Sequence, residues 1–287
     1  MGESSLQLEE VCAGNHCAAI SFAAGISKEG SVLQKNLVKD KLRAGTTVYG
    51  TSLGEWLDPE VPIILAAAGI DFFFIDTEHS ATSYSQIKGL CRTARGAGVI
   101  PLVRVTENIS SLISRALDVG AMGIIVPRVN SVAEARAAVD AMKFPPAGHR
   151  GYGLGSIITD LKGRPAGEEI ESANRETLVV MMIESVEGLE AVEQIAAVPE
   201  IDVLFIGPYD LSLSLGIVEQ FQNPVFWKAV ERIIQAGQKS NLAVGLQSGN
   251  AAVLKRAAEM GARFLICGSE SSVLLEGYKR ALATMKS

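Results

Sequence analysis

Two acids, Glu184 and Asp210, each close a short apolar run, MMI before Glu184 and LFIGPY before Asp210. Paired in space, they would make a sparse oxygen site for a hard divalent cation, with the remaining positions left to water or a chelating substrate. The competing reading is that Glu184 opens a helix and Asp210 caps one, since acids are favoured at helix N-termini. His79 is one of three histidines and follows Asp76 by three residues in DTEH, a spacing that would let the carboxylate fix the imidazole tautomer and raise its basicity. Arg104 ends the apolar run PLVR, where an unpaired charge is costly, so it needs an anionic neighbour or ligand. Asp118 stands near a predicted helix C-terminus, an unfavourable place for an acid if only the helix dipole mattered. A Schiff base would need a lysine on a strand of the core, and no predicted strand contains one. Carbon–carbon chemistry is therefore steered toward a metal-stabilised enolate.

Positioning these groups requires a regular scaffold. Short β-branched or aromatic runs recur at 46–52, 71–76, 100–105, 123–128, 178–184, 202–207, 243–247 and 263–268. Between and after them fall segments of helical period at 62–68, 85–97, 110–119, 133–142, 188–197, 225–239, 251–260 and 273–285. Continuous rather than alternating apolar strands imply burial on both faces, as in a parallel sheet covered by helices. After a polar leader to about Gly30, eight strand–helix units predict a single (β/α)8 TIM barrel. A doubly wound open sheet is the alternative, but no GxGxxG follows the first strand. Gly69, Gly98, Gly120 and Gly261 are expected to end helices in the left-handed conformation. The one long irregular stretch, 145–177, carries His149, Arg150, Tyr152 and Arg164 and reads as a lid or binding loop. In a barrel of this type the site lies at the C-terminal strand ends, which is where Asp76, His79, Arg104, Glu184 and Asp210 fall.

Composition narrows the partners. With 287 residues, 48% hydrophobic, and 26 basic against 32 acidic side chains, the chain has core enough for a barrel and no basic footprint for nucleic acid or anionic membrane. No run of 18 apolar residues is present, so no membrane span is expected. Gly2 resembles the start of a myristoylation signal, but Leu6 stands where Ser or Thr is needed. Four scattered cysteines suit a reducing, cytoplasmic setting. Cys12, His16 and Cys17 lack a second pair at zinc-finger spacing and read as tail.

The segments AAAGIDFFFIDTEHS (66–80), PLVRV (101–105), RALDVGAMGIIVPRVNSVAEARAAV (115–139), KFPPAGHRGYG (143–153), MIESVEGLEAVEQIAAVPEIDVLFIGPYDLSLSLG (182–216) and GARFLICGS (261–269) resemble the HpcH/HpaI family of metal-dependent class II pyruvate aldolases. The resemblance implies that Glu184 and Asp210 hold the metal, Mg2+ or Mn2+ with Co2+ as a further option. It implies that His79, supported by Asp76, is the catalytic base and that Arg104 binds the keto oxygen and stabilises the enolate. Asp118 would orient the histidine of a neighbouring subunit, and the backbone at Gly207, Pro208 and Tyr209 would bind the pyruvate carboxylate. The activity implied is retro-aldol cleavage of 4-hydroxy-2-oxo acids to pyruvate and an aldehyde. The barrel implied spans residues 36–287 behind an N-terminal extension, residues 1–35. The assembly implied is a dimer-based homo-oligomer, up to a hexamer, with the C-terminal helix swapped onto a neighbour through Val273, Leu274, Leu275, Tyr278, Leu282 and Met285; the alternative is a helix that closes its own barrel as the eighth unit. Three positions depart from the family pattern: Met182 stands where many members have Gln, Ser52 where an aromatic is common with Trp56 nearby, and Glu270 in place of Asp. Two rivals follow: a citramalyl-CoA-type lyase using Arg128, Arg150 and Arg164, and a non-catalytic 2-oxo-acid binder.

Overall fold

In the computed structural model, residues 34–154 and 165–287 are described. Eight parallel strands close into a barrel in sequence order, β1 Val48–Leu53, β2 Phe72–Asp76, β3 Ile100–Arg104, β4 Gly123–Val126, β5 Leu178–Ile183, β6 Val203–Ile206, β7 Ala243–Ser248 and β8 Phe264–Ser269. Each lies within two residues of its expected bounds. The helices around them are α1 Leu37–Arg43, α2 Val61–Ala67, α3 Tyr84–Ala97, α4 Ser110–Asp118, α5 Val132–Met142, α6 Ala166–Glu176, α7 Val186–Glu190, α8 Val192–Ala196, α9 Pro208–Ser214, α10 Pro224–Lys239, α11 Ala251–Glu259 and α12 Glu270–Lys286.

Local chemistry sets many of the helix starts. Ser83 and Gln86 form a reciprocal capping box at α3, Ser131 accepts from Glu134 N–H at α5, and Asn223 caps α10 ahead of Pro224. Gly69, Gly98, Gly120 and Gly261 take positive φ, as expected. Two expectations need correction. The segment 188–197 is not one helix but α7 and α8, broken at Ala191. The stretch 145–177 is not irregular throughout, because 166–176 forms α6, whose acidic first turn suits a helix N-terminus. Arg164, Gly2, Cys12, His16 and Cys17 lie outside the described residues.

Inward-facing side chains fill the barrel in levels drawn from alternate strands. The strand registers place Phe74, Ile125, Phe205 and Ile266 on one level and Ser52, Arg104, Met182 and Gln247 on the next one toward the C-terminal strand ends. Beneath them Phe72 stacks on Phe264 with ring centroids 4.2 Å apart. That packing depends on Gly50, since a Cβ there would fall 2.4 Å from the Phe72 ring.

The N-terminal strand ends are closed by buried cations. Lys39 Nζ donates to Thr177 O at 2.9 Å and pairs with Asp202 at 2.8 Å, while Lys143 Nζ donates to Asn174 O at 2.5 Å and Thr177 O at 3.2 Å. Burial, and then the charge of Lys39, push the Lys143 ammonium down to about 8. At the other extreme of the chain, the apolar residues of α12 are exposed, from 48% for Leu282 to 80% for Met285.

Candidate active site

Asp76 and Arg104 end neighbouring strands in register and form a two-pronged pair, Nε to Oδ1 at 3.0 Å and Nη2 to Oδ2 at 2.6 Å. Burial alone would raise the Asp76 carboxyl, but Arg104 and the backbone N–H groups of Glu78 and His79 hold it below the ordinary range. Burial likewise opposes the charge on Arg104, and Asp76 with Glu78 outweighs it and keeps the guanidinium raised. The pairing corrects the expectation for Asp76. Its carboxylate accepts from Glu78 N–H at 2.9 Å and more weakly from His79 N–H at 3.4 Å, so it fixes the main chain that carries the imidazole, and its strongest side-chain contact is Arg104. The His79 ring is exposed, with Nε2 3.9 Å from Glu78.

Glu78 escaped the sequence analysis. Its carboxylate is almost completely buried, pairs with Arg128 and lies 3.5 Å from Arg104 Nη1. Arg128 adopts φ 52°, a strained conformation for a residue with a side chain, and its backbone N–H donates to Glu184 Oε1 at 2.7 Å. One residue thus reaches two acids, one through its side chain and one through its backbone.

Glu184 follows β5, is 4% exposed, and has its carboxyl pushed up to about 7. Burial is the main cause, the charges of Asp210 and Glu78 add to it, and Arg128 N–H and Arg104 oppose it. Gly207 makes room for this carboxylate, since a Cβ there would sit 2.3 Å from Glu184 Oε2. Gly207 is also the N-cap of α9, whose first turn carries Asp210 and the exposed Tyr209. A buried acid raised by a second acid, both at an open mouth, is the donor set that a hard divalent cation relieves. No cluster of three or more metal-type side chains gathers among the described residues, which leaves a cation here to two carboxylates and outside ligands.

Asp118 is elsewhere. It ends α4, five residues before β4 begins, which places it at the N-terminal strand ends and away from His79 of its own barrel. There Arg150 Nη2 holds Oδ1 at 2.6 Å, and Gly153 approaches so closely that a Cβ would meet the carboxylate at 2.7 Å. Arg150 is buried over the Phe144 ring.

The departing positions cluster at the mouth. Gln247 Nε2 donates to Ser52 Oγ at 2.9 Å and to Gly268 O at 3.3 Å, and Ser52 Oγ also donates to Gly268 O at 3.3 Å. Glu270 Oε1 accepts from the backbone N–H groups of Gly54, Glu55 and Trp56 at 2.6–3.0 Å and so anchors the loop after β1.

Comparison with known proteins gives this geometry a context. The family model described as HpcH/HpaI aldolase/citrate lyase matches residues 58–276. A hydroxypyruvate/pyruvate aldolase of Pseudomonas aeruginosa is 30% identical over 254 residues, 88% of this chain and 94% of its own. A 4-hydroxy-2-oxo-heptane-1,7-dioate aldolase of Klebsiella pneumoniae is 34% identical over 242 residues, 84% and 91% of the two chains. The solved HpcH/HpaI aldolase from Desulfitobacterium hafniense superposes with a TM-score of 0.83 at 34% identity, covering 87% of this chain and 96% of its own. Barrel, ordered motifs and similarity over most of the chain agree, and the chain belongs to the HpcH/HpaI aldolase/citrate lyase family.

Proposed function

We propose that this carbon–carbon lyase cleaves 4-hydroxy-2-oxo acids to pyruvate and an aldehyde, and catalyses the reverse addition, at the barrel mouth formed by residues 36–287. The observation that carries the reading is Glu184, a buried acid beside the charge of Asp210 and facing a pinned arginine. Glu184 and Asp210 would hold a divalent cation, which would supply Lewis-acid polarisation to a bound 2-oxo acid. Mg2+ and Mn2+ suit such oxygen donors, and Co2+ is a further option.

Arg104 does its part with the nitrogen that Asp76 does not use. Nε and Nη2 are committed to the carboxylate, which fixes the fork; Nη1 lies 3.5 Å from Glu78 and keeps its second hydrogen for the oxygen that becomes an enolate. The carboxylate of the 2-oxo acid is received at the start of α9. Pro208 has no N–H, and that of Gly207 is committed to Ile183 O at 3.2 Å, so Tyr209 N–H is the donor that remains in this stretch. His79 takes the proton of the C4 hydroxyl. The C3–C4 bond then breaks, its electrons passing to the enolate oxygen beside Arg104, and C3 is protonated to give pyruvate.

Asp118 serves a second copy of the chain, since its own barrel separates it from its own His79. The exposed apolar residues of α12 provide a surface for such an assembly. The citramalyl-CoA reading is the weaker one, because Arg128 is engaged by Glu78 and Arg150 by Asp118, which removes two of the cations a CoA phosphate would need. A cytoplasmic setting suits Cys91 and Cys267, which are both free thiols. The test is exchange of the pyruvate methyl protons in D2O with Mn2+ and no aldehyde. Metal-dependent exchange is expected; binding without exchange would overturn the lyase reading in favour of a 2-oxo-acid binder.

A further inference from the structure

Four inward side chains share the last closed level of the barrel before the mouth opens: Ser52, Arg104, Met182 and Gln247. They come from β1, β3, β5 and β7, so Arg104 and Gln247 face each other across the barrel, as do Ser52 and Met182. One wall of the level is cationic, one apolar, and two carry neutral polar groups. Next along the axis β2 supplies Asp76, which is tied to Arg104, while β6 and β8 run into Gly207 and Gly268, which add no side chain and leave that side of the level open to a ligand.

The amide of Gln247 is fixed in direction. Gly268 O accepts only, so the nitrogen must face it; the two Nε2 hydrogens go to Gly268 O and Ser52 Oγ. The Ser52 hydroxyl hydrogen is itself directed at Gly268 O. What the network leaves for a ligand is an acceptor, the Gln247 Oε1. A 2-oxo acid with its keto oxygen on Arg104 of β3 and its carboxylate at α9, after β6, turns the third substituent of its trigonal carbon, C3, to the remaining side of the level, where β7 and β1 carry Gln247 and Ser52. A methyl group there satisfies nothing, whereas a hydroxyl donates to Oε1.

We propose that Gln247, oriented by Ser52 and Gly268, is a specificity-determining residue that selects 2-oxo acids bearing a hydroxyl on C3 as the carbon nucleophile. The assignment rests on the lyase reading above and deepens it by naming the nucleophile class. Sites built to hydrogen-bond a substrate hydroxyl discriminate strongly against analogues without it, because their polar groups are otherwise left unpaired.

The experiment measures, in D2O with Mn2+ and no aldehyde, the exchange of C3 protons in hydroxypyruvate and in pyruvate, each as kcat/KM. The wild-type chain is expected to favour hydroxypyruvate, and Gln247→Leu and Gln247→Met to lower the hydroxypyruvate-to-pyruvate ratio at least about tenfold. Ser52→Ala, which releases one amide hydrogen and loosens the orientation, should lower the ratio by less. The ratio is internal to each variant, so a partly folded preparation leaves it intact. A ratio unchanged in both Gln247 variants would overturn the assignment and reduce the network to a structural tie. Exchange of neither acid by the wild-type chain would instead overturn the lyase reading.

Discussion

The two ends of the barrel both bury charge, and they treat it in opposite ways. At the N-terminal strand ends, Lys39 and Lys143 point their ammonium groups at backbone carbonyls and at Asp202 and Glu200, so each cation meets several acceptors. At the C-terminal ends, Asp76, Glu78, Glu184 and Asp210 share Arg104 and Arg128, and Glu184 keeps an oxygen facing a glycine. Closed networks of this kind hold a fold together, whereas incomplete ones hold an unmet demand for positive charge. The difference is what favours the C-terminal end as the place of the proposed chemistry.

The largest effect that would break this comparison lies at the mouth. Glu184→Ala and Asp210→Ala should each lower metal-dependent proton exchange at least about a hundredfold while leaving the thermal midpoint near that of the wild type, read by exchange kinetics and calorimetry. Full activity of either variant after chelator treatment would remove the metal from the mechanism. Arg104→Lys keeps the charge but loses the fork, and should cost about tenfold to a hundredfold, mainly in kcat. A raised KM at unchanged kcat would make Arg104 a binding residue only.

Asp118 sharpens the comparison, because it is a functional candidate at the closed end. Inactive Asp118→Asn and His79→Ala chains, refolded together, should recover part of the activity, since some interfaces would pair an intact Asp118 with an intact His79. Hybrid oligomers that stay inactive would return Asp118 to a structural role. Smaller effects follow from proton linkage. The Glu184 carboxyl is raised to about 7, so the cation must displace a proton below that pH; Mn2+ affinity should weaken as pH falls from 7 toward 5, with proton release visible by calorimetry in buffers of different ionisation heat. Lys143 is shifted the other way. Its folded value of about 8 lies below the unfolded 10.5, so the unfolded chain binds more protons between them and stability rises with pH across that window. Lys143→Met should flatten this rise relative to the wild type, and an unchanged slope in denaturant titrations would refute the assignment.

Much of this was legible in the sequence, for physical reasons. All eight strands are visible because burial on both faces makes them continuous apolar runs, as in DFFFID and LVVMMIE. Helix α6 was hidden because AGEEIESANRE carries few apolar residues, and the break at Ala191 because the apolar period continues through it. Glu78 was overlooked inside DTEH because charge alone does not distinguish a buried acid from a solvated one. The levels of the barrel depend on strand register, which one sequence does not display, so Gln247 read only as a strand end. The Asp76 contact with Arg104 likewise joins two strands whose pairing had to be seen.

Gly207 has a bearing on how this mouth can change over generations or in a laboratory library. A methyl group there would meet Glu184 Oε2 at 2.3 Å and Met182 Cε at 2.7 Å at the same time. The methionine could be shortened by a second substitution, but the carboxylate could not retreat without abandoning the position proposed to receive a cation. Single-step variation at 207 is therefore a dead end in sequence space, and new specificities must be reached through the residues around it, with 52, 182 and 247 the open routes.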